Sequence, residues 1–341
     1  MHKHITRRKV LETGLVASFL SVLPGCSFGK QKDYKPAVIG RPVPKRTRWG
    51  ESSTAEMVTE GIDLSGQTAL VTGCNSGLGY ETMRVLAMRG AHVIGAARTL
   101  EKASAACEKI KGNTTPLVVE LTDLPGIVDA ANKVSEMDLP IDMLILNAGI
   151  MQVPDRRLAN GVELQFAVNH LGHFLLANHL QEQVVAAPQG RVVVVSSNAH
   201  RWGPDEGIQF DNLDAEVGYD PRVAYGQSKV ANGLFSREFA RRLSATNATC
   251  NSLHPGVIDT NLDRFLPQSD DDDSSSKSWM KTIPEGTATQ CYVATNPDLA
   301  EVTGYYFDDC NPAVPNEHMQ NDELAAKLWQ VSEELTSDYL P

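Results

Sequence analysis

The chain has 341 residues, 42% of them apolar and 21% charged, which is the profile of a soluble globular protein with one large domain or two small ones. A formal net charge of −11 argues against nucleic acid as the main partner. No internal repeat of solenoid period is present, so stacked-repeat architectures are set aside.

Residues 1–26 read as an address rather than as fold. Arg7-Arg8-Lys9 gives a basic start, an apolar run from Gly14 to Leu23 follows, and Leu23-Pro24-Gly25-Cys26 closes the stretch. That order makes an export signal, and the apolar run is too short to span a bilayer. The paired arginines resemble a twin-arginine signal. The last four residues resemble a lipoprotein cleavage box, which would place a lipid anchor at Cys26. The expectation is export to a bacterial cell envelope, on the periplasmic side, with a basic tail on a cytoplasmic protein as the alternative. Residues 27–64 carry several prolines and no lasting apolar period, and read as a linker or a surface arm. Cys74, Cys107, Cys250, Cys291 and Cys310 are widely spaced with no C-x-x-C pair. They read as small buried hydrophobes rather than as a zinc site or a disulfide framework.

From Gln67 the chain alternates. The spacing predicts strands at Thr68–Thr72, Ala91–Ala97, Leu117–Leu121, Met143–Leu146, Val192–Ser196 and Thr249–Leu253. Helical spacing runs over Tyr80–Arg89, Glu101–Lys111, Ile127–Met137, Glu163–Val185 and Val223–Ala245, with an amphipathic helix over Asn321–Tyr339. Near-continuous apolar strands alternating with helices predict a parallel sheet covered on both faces, with ligands at the carboxyl ends of the strands.

The motifs sit at those strand ends. Gly73-x-x-x-Gly77-x-Gly79, with Asn75, Ser76 and Leu78 inside it, lies between a strand and a helix. Such a turn lets the backbone approach a pyrophosphate while the helix N-terminus faces the anion. After the second strand an acidic residue would hold the ribose of NAD, but the chain has Ala96-Ala97-Arg98-Thr99. Arg98 can grip a 2′-phosphate, so NADP is expected ahead of NAD. Glu120 is expected at the adenine edge with Leu121 lining it, and Asp123 as the cap of the next helix. Asn147-Ala148-Gly149 offers small residues on which a bulky cofactor can lie. Pro255-Gly256 turns the chain sharply and brings Thr260 toward the nicotinamide carboxamide.

Tyr225 and Lys229 stand four residues apart, on one face of a helix. A free phenol has a pKa of roughly 10, and a cation beside it favours the phenolate, so the pair is a candidate general acid/base. Ser197 ends the fifth strand on the same rim, where a hydroxyl can donate to a carbonyl oxygen as charge develops. Asn169 lies mid-helix, where asparagine is disfavoured unless its side chain has a task. His170, His173, His179, His200 and His254 lack metal-ligand spacing, and no metal is expected.

Together these residues resemble the short-chain dehydrogenase/reductase family. Thr72-Gly73-x-x-x-Gly77-x-Gly79, Asn147-Ala148-Gly149, Asn169, Ser197, Tyr225-x-x-x-Lys229 and Pro255-Gly256-x-x-x-Thr260 match its motifs in order and spacing. Val168–Phe174 and the His254-Pro255-Gly256 turn are similar to the retinol dehydrogenase and WW-domain oxidoreductase branch. The resemblance implies a Rossmann-type doubly wound α/β sheet in a single domain over residues 65–312, with 313–341 a helical tail. It implies that Tyr225 exchanges a proton with the substrate oxygen and that Lys229 lowers its pKa and holds the nicotinamide ribose. Ser197 would polarise the carbonyl, and Asn169 would hold a water linking Lys229 to solvent. The expected activity is NADP-dependent interconversion of an alcohol and a carbonyl; a non-catalytic nucleotide sensor or scaffold is the alternative. Substrate choice is expected in Asn198–Arg222, with Trp202, Phe210 and Tyr219, and in Asn261–Ile283, with Phe265, Leu266, Trp279 and Met280. These aromatics point to an apolar substrate. Asp270–Asp273 reads as a solvated loop. The C-terminal helix is expected on the body or on a partner subunit of a homo-oligomer.

Overall fold

The computed structural model describes residues 34–266 and 280–341. Cys26 and the rest of residues 1–26, the acidic run Asp270–Asp273 and Trp279 lie outside them. The strands are β1 (Thr68–Thr72), β2 (His92–Ala97), β3 (Thr114–Val118), β4 (Met143–Leu146), β5 (Leu158–Ala159), β6 (Val162–Glu163), β7 (Arg191–Val195), β8 (Thr249–His254), β9 (Tyr306–Asp308) and β10 (Asn311–Ala313). The helices are α1 (Ala55–Val58), α2 (Gly77–Met88), α3 (Leu100–Cys107), α4 (Leu124–Ser135), α5 (Leu164–Phe166), α6 (Gly172–His179), α7 (Gln181–Ala186), α8 (Pro221–Arg242), α9 (Ile283–Thr295) and α10 (Asp322–Leu335). Eight strands form one sheet in the order β10-β9-β8-β7-β4-β1-β2-β3, parallel except for the β9–β10 pair.

Alternation along each strand splits the core in two. Ala69, Val71, Val93, Ile145 and Val193 face one side with α2, α3 and α9; Leu70, Ile94, Leu144, Val192 and Val194 face the other with α4, α6 and α8. Both faces are therefore dry, and each fully buried Val, Leu or Ile contributes roughly 1.5–3 kcal/mol. Register is tight where the order reverses: Leu70 opposes Ile94 on one flank and Leu144 on the other. The chain leaves β1 toward β2 and later returns to β4 on the opposite flank, so a crevice opens at the carboxyl ends of β1 and β4.

The doubly wound single-domain architecture is as expected, but several elements differ. The helix expected over Glu163–Val185 is broken by a π-helical turn at Ala167–Leu171 and again at Leu180. Periodicity cannot register a single wide turn, and such turns cluster at functional sites. β3 begins three residues earlier than expected because it is an edge strand. Its Thr114 and Thr115 are half-exposed and Pro116 is tolerated there, so the most apolar residues lie past its end. α9, β9 and β10 were not foreseen. Helix α9 carries buried Thr287, Thr289, Gln290 and Thr295, and these polar residues mask its apolar face.

The two ends of the described chain pack on the body. Tyr34 stacks on Tyr305 at 4.7 Å, Arg237 donates to the Lys35 carbonyl at 2.8 Å, and Asn311 donates to the Trp49 carbonyl at 2.9 Å. Helix α10 lies on α6 and α8 of its own chain. Its Trp329 stacks on Phe235 at 5.8 Å and meets Phe174 edge-on at 4.9 Å. With α10 outside and the sheet inside, every residue of α8 from Ala224 to Ala240 is buried. The five described cysteines are all free and buried.

Candidate active site

The loop after β1 depends on glycine at two places. Gly73 has φ +71°, and a Cβ on Gly79 would stand 2.2 Å from the Gly73 carbonyl oxygen. Helix α2 starts at Gly77, and its N-cap Ser76 makes no side-chain capping bond, so the first N–H groups of the helix are left to an anion. Thr72 ties this loop to the one after β4. Its Oγ1 accepts from the N–H groups of Asn147 at 2.9 Å and Ala148 at 3.0 Å, while Asn147 Nδ2 donates to the Thr72 carbonyl at 2.8 Å. The sequence places Thr72 at the end of a strand and the start of the glycine motif, and nothing there marks its hydroxyl as the joint between the two loops.

A cavity of about 1260 Å³ opens over these ends. Of the residues singled out from the sequence for the cofactor and the chemistry, all but Asn169 line it: Gly73, Asn75–Gly79, Arg98, Glu120, Leu121, Asn147–Gly149, Ser197, Tyr225, Lys229, Pro255, Gly256 and Thr260. Glu120 spends Oε1 on the N–H and hydroxyl of Thr122, at 3.3 and 3.1 Å, which turns that carboxylate into its own loop. Thr260 caps the short 3-10 turn Asn261–Phe265 and stands over Gly77. Asn169 lies behind the wall in the π turn. Its Oδ1 accepts from the Ile150 N–H, and its Nδ2 donates to the Ile150 carbonyl and to Ser228 Oγ, each at 2.9 Å. These three bonds fix the Gly149–Ile150 segment against the π turn.

Tyr225 and Lys229 meet at the cavity floor, with the Lys229 Nζ 5.5 Å from the Tyr225 ring centre. The Tyr225 phenol is shifted in the direction opposite to the lowering expected of Lys229. Burial pushes Tyr225 above its ordinary value, a hydrogen bond with the Ser197 side chain works the other way, and Asp263 adds to the rise. The physical reason lies in Lys229 itself. It is buried too, burial brings it down to about 8, and its Nζ donates to the Val195 carbonyl at 3.0 Å rather than to the phenol. Ser196 is structural, donating to the Lys229 carbonyl at 2.7 Å. Ser197 accepts from the Ala199 N–H at 3.1 Å, so its own O–H is turned to donate on the Tyr225 side.

Trp202, Leu262, Phe265, Leu266 and Met280 also wall the cavity. Phe210 and Tyr219 are absent from it. Phe210 lies under the Lys327 ammonium, and Tyr219 donates to the Val153 carbonyl at 2.5 Å. His170, His173 and His200 are buried, His179 Nε2 donates to the Tyr339 carbonyl at 2.6 Å, and of these five histidines His254 lines the cavity.

The short chain dehydrogenase family model matches residues 67–271. The chain is 42% identical over 310 residues to the short-chain dehydrogenase TIC 32 B, chloroplastic, of Brassica napus, covering 87% of this chain and 96% of that one. It is 38% identical over 292 residues to retinol dehydrogenase 14 of Homo sapiens, covering 79% and 86%. The NADP active-site complex of Pseudomonas aeruginosa RhlG superposes with a TM-score of 0.58 at 25% identity, covering 72% and 95%. The chloroplast and human relatives overturn the expected export to a bacterial envelope. A basic start before a short apolar run is a compositional signal shared by several targeting routes, and composition alone does not name the compartment. Among the described residues no helix is long and apolar enough to cross a membrane.

Proposed function

This chain belongs to the short-chain dehydrogenase family of NAD(P)-dependent dehydrogenases and reductases, and from that premise we propose that it interconverts an apolar alcohol and its carbonyl with NADP, Tyr225 being the proton donor. The observation that carries the reading is the meeting of Tyr225, Ser197 and Lys229 in one cavity with the uncapped N-terminus of α2. A dinucleotide fits these residues. The α2 N-terminus would take the pyrophosphate and Arg98 a 2′-phosphate, while the nearby Glu120 carboxylate is occupied by Thr122. RhlG, with its NADP complex, supports the same choice of cofactor.

When bound, the nicotinamide supplies or accepts the hydride. The chain handles the oxygen and its proton. Ser197 donates to the substrate oxygen and so steers it onto the phenol. Tyr225 is protonated at neutral pH as any phenol is, and burial favours that form further, so in reduction it stands ready as the acid. Lys229, brought down to about 8, can exchange a proton near neutrality and return one to the site. The apolar wall and the retinol dehydrogenase relatives support an apolar, retinoid-like aldehyde or alcohol as the substrate class.

The test measures NADPH and NADH binding by fluorescence and turnover of all-trans-retinal and decanal. Tyr225→Phe should cut turnover by about 100-fold or more while nucleotide affinity stays within about twofold. Arg98→Ala should weaken NADPH about tenfold or more and leave NADH alone. Turnover that survives in Tyr225→Phe would overturn the proton-donor assignment, and equal losses for both nucleotides in Arg98→Ala would overturn NADP.

A further inference from the structure

Strand β9 ends beside the catalytic rim, and its polar side chains have no task in the chemistry above. Two of them converge on Asn198, the residue after Ser197. The Tyr306 hydroxyl donates to Asn198 Oδ1 at 3.3 Å, and the Asn198 side chain lies beside Asp308 and favours its ionised carboxylate. The Tyr306 bond sets the amide's orientation, with its oxygen toward the phenol. A second bond reaches β8, where the backbone N–H of Asn198 donates to His254 Nδ1 at 3.2 Å. That contact requires Nδ1 to be unprotonated and so places the proton of neutral His254 on Nε2.

Ser197 needs such a hold. The last sheet bond of β7 is made by the Ser196 N–H to the Leu253 carbonyl, so Ser197 and Asn198 stand beyond the ladder. Ser197 bonds only within its own turn, to the Ala199 N–H, and with Tyr225. Asn198 lines the same cavity and is tied to two strands at once. The Lys281 ammonium pairs directly with Asp309 and acts on Asp308 only through its charge.

We propose that Asn198 is the positioning residue for Ser197: Tyr306 of β9 and His254 of β8 hold it by two hydrogen bonds, with Asp308 of β9 beside its side chain, and this hold keeps the Ser197 hydroxyl on Tyr225. The inference rests on the reading of Ser197 given under the proposed function. A side chain held in this way acts on the chemical step rather than on nucleotide binding, since neither bond touches the α2 loop.

The experiment compares Asn198→Ala, Asp308→Ala and Asp308→Asn with the parent chain. Turnover of all-trans-retinal and decanal is followed with NADPH, and hydrogen exchange over residues 197–202 by mass spectrometry. Both alanine variants should lower kcat about tenfold or more with KM for NADPH within about twofold, and should speed exchange in that segment. Asp308→Asn keeps an oxygen beside the Asn198 side chain, so kcat should stay within about threefold of the parent. Tyr306→Phe removes one hydroxyl of the hold and little volume; it should cost about threefold and replaces an alanine variant that does not fold. Parent-like kcat and exchange in the alanine variants overturn the proposal, as does an Asp308→Asn loss equal to that of Asp308→Ala. If the parent chain turns over neither aldehyde, the oxidoreductase reading fails on its own. The exchange comparison then decides the hold, with unchanged exchange overturning it.

Discussion

The Lys229 ammonium lies 5.5 Å from the centre of the Tyr225 ring and gives a hydrogen bond to the Val195 carbonyl at 3.0 Å, an oxygen that Asn232 Nδ2 also reaches at 3.1 Å. The cation is thus seated on the end of β7 and presented to the face of the phenol, not to its oxygen. Burial has already brought this lysine down to about 8, so its charge depends on pH in a range that is easy to measure. As pH rises through about 8 the unliganded chain loses that charge, and kcat/KM, which reports the free enzyme, should fall. Lys229→Arg holds its charge at any such pH and should move the basic limb out of the measured range, at a lower plateau. A limb that stays near 8 in the arginine variant would assign the titration to another group.

Four histidines are buried in the neutral form. His170, His200 and His254 are brought down to about 3 and His173 to about 4, burial being the main cause in each. The unfolded chain binds these protons below about 6.5 and the folded chain does not, so stability is lost as pH falls from about 6.5 toward 4. Asp308 acts in the opposite sense. Burial raises it to about 6, so the folded chain holds that proton first and offsets one of the four. Each uncompensated histidine costs up to about 1.4 kcal/mol per pH unit, so the unfolding free energy should fall by on the order of 5 kcal/mol between pH 6.5 and 5. Urea unfolding at pH 7, 6 and 5 measures it, and a flat profile would refute it. His200 has both ring nitrogens buried without a partner, so His200→Leu should flatten the slope.

Asn169 supports the cofactor side of the cavity from behind. Replacing it with alanine leaves the Ile150 N–H and carbonyl unpaired at a half-buried position and frees Ser228 of one bond. The expected cost is on the order of 2–4 kcal/mol, seen as a fall in melting temperature of roughly 5–10 °C. Asn169→Asp keeps the acceptor and loses the donor, and should fall between the two. A melting temperature unchanged in Asn169→Ala would show that the Ile150 groups find other partners.

Much of the chemistry was legible because it is local in the chain. The glycine spacing, Arg98 after β2, and the four-residue step from Tyr225 to Lys229 each depend on one strand end or one helical turn, and the structure gathers them in one cavity. The apolar strands told that both faces of the sheet are dry, since β1, β4 and β7 are apolar at nearly every position. Periodicity failed where a partner decides the outcome. Strand β3 tolerates Pro116 because it is an edge, and α9 buries threonines that find bonds in their own helix or its neighbours.

The residue types and their order determined a doubly wound sheet and most of the side chains that line its cavity, because those follow from periodicities and spacings of a few residues. Only the tertiary structure decided the charge states, since desolvation depends on what covers a group: it raises Tyr225 and lowers Lys229, against the expectation drawn from their spacing. It alone also brought Asp308 and Tyr306 to Asn198, because a hydrogen bond across more than a hundred residues exists only once parallel strands have stacked their carboxyl ends along one rim.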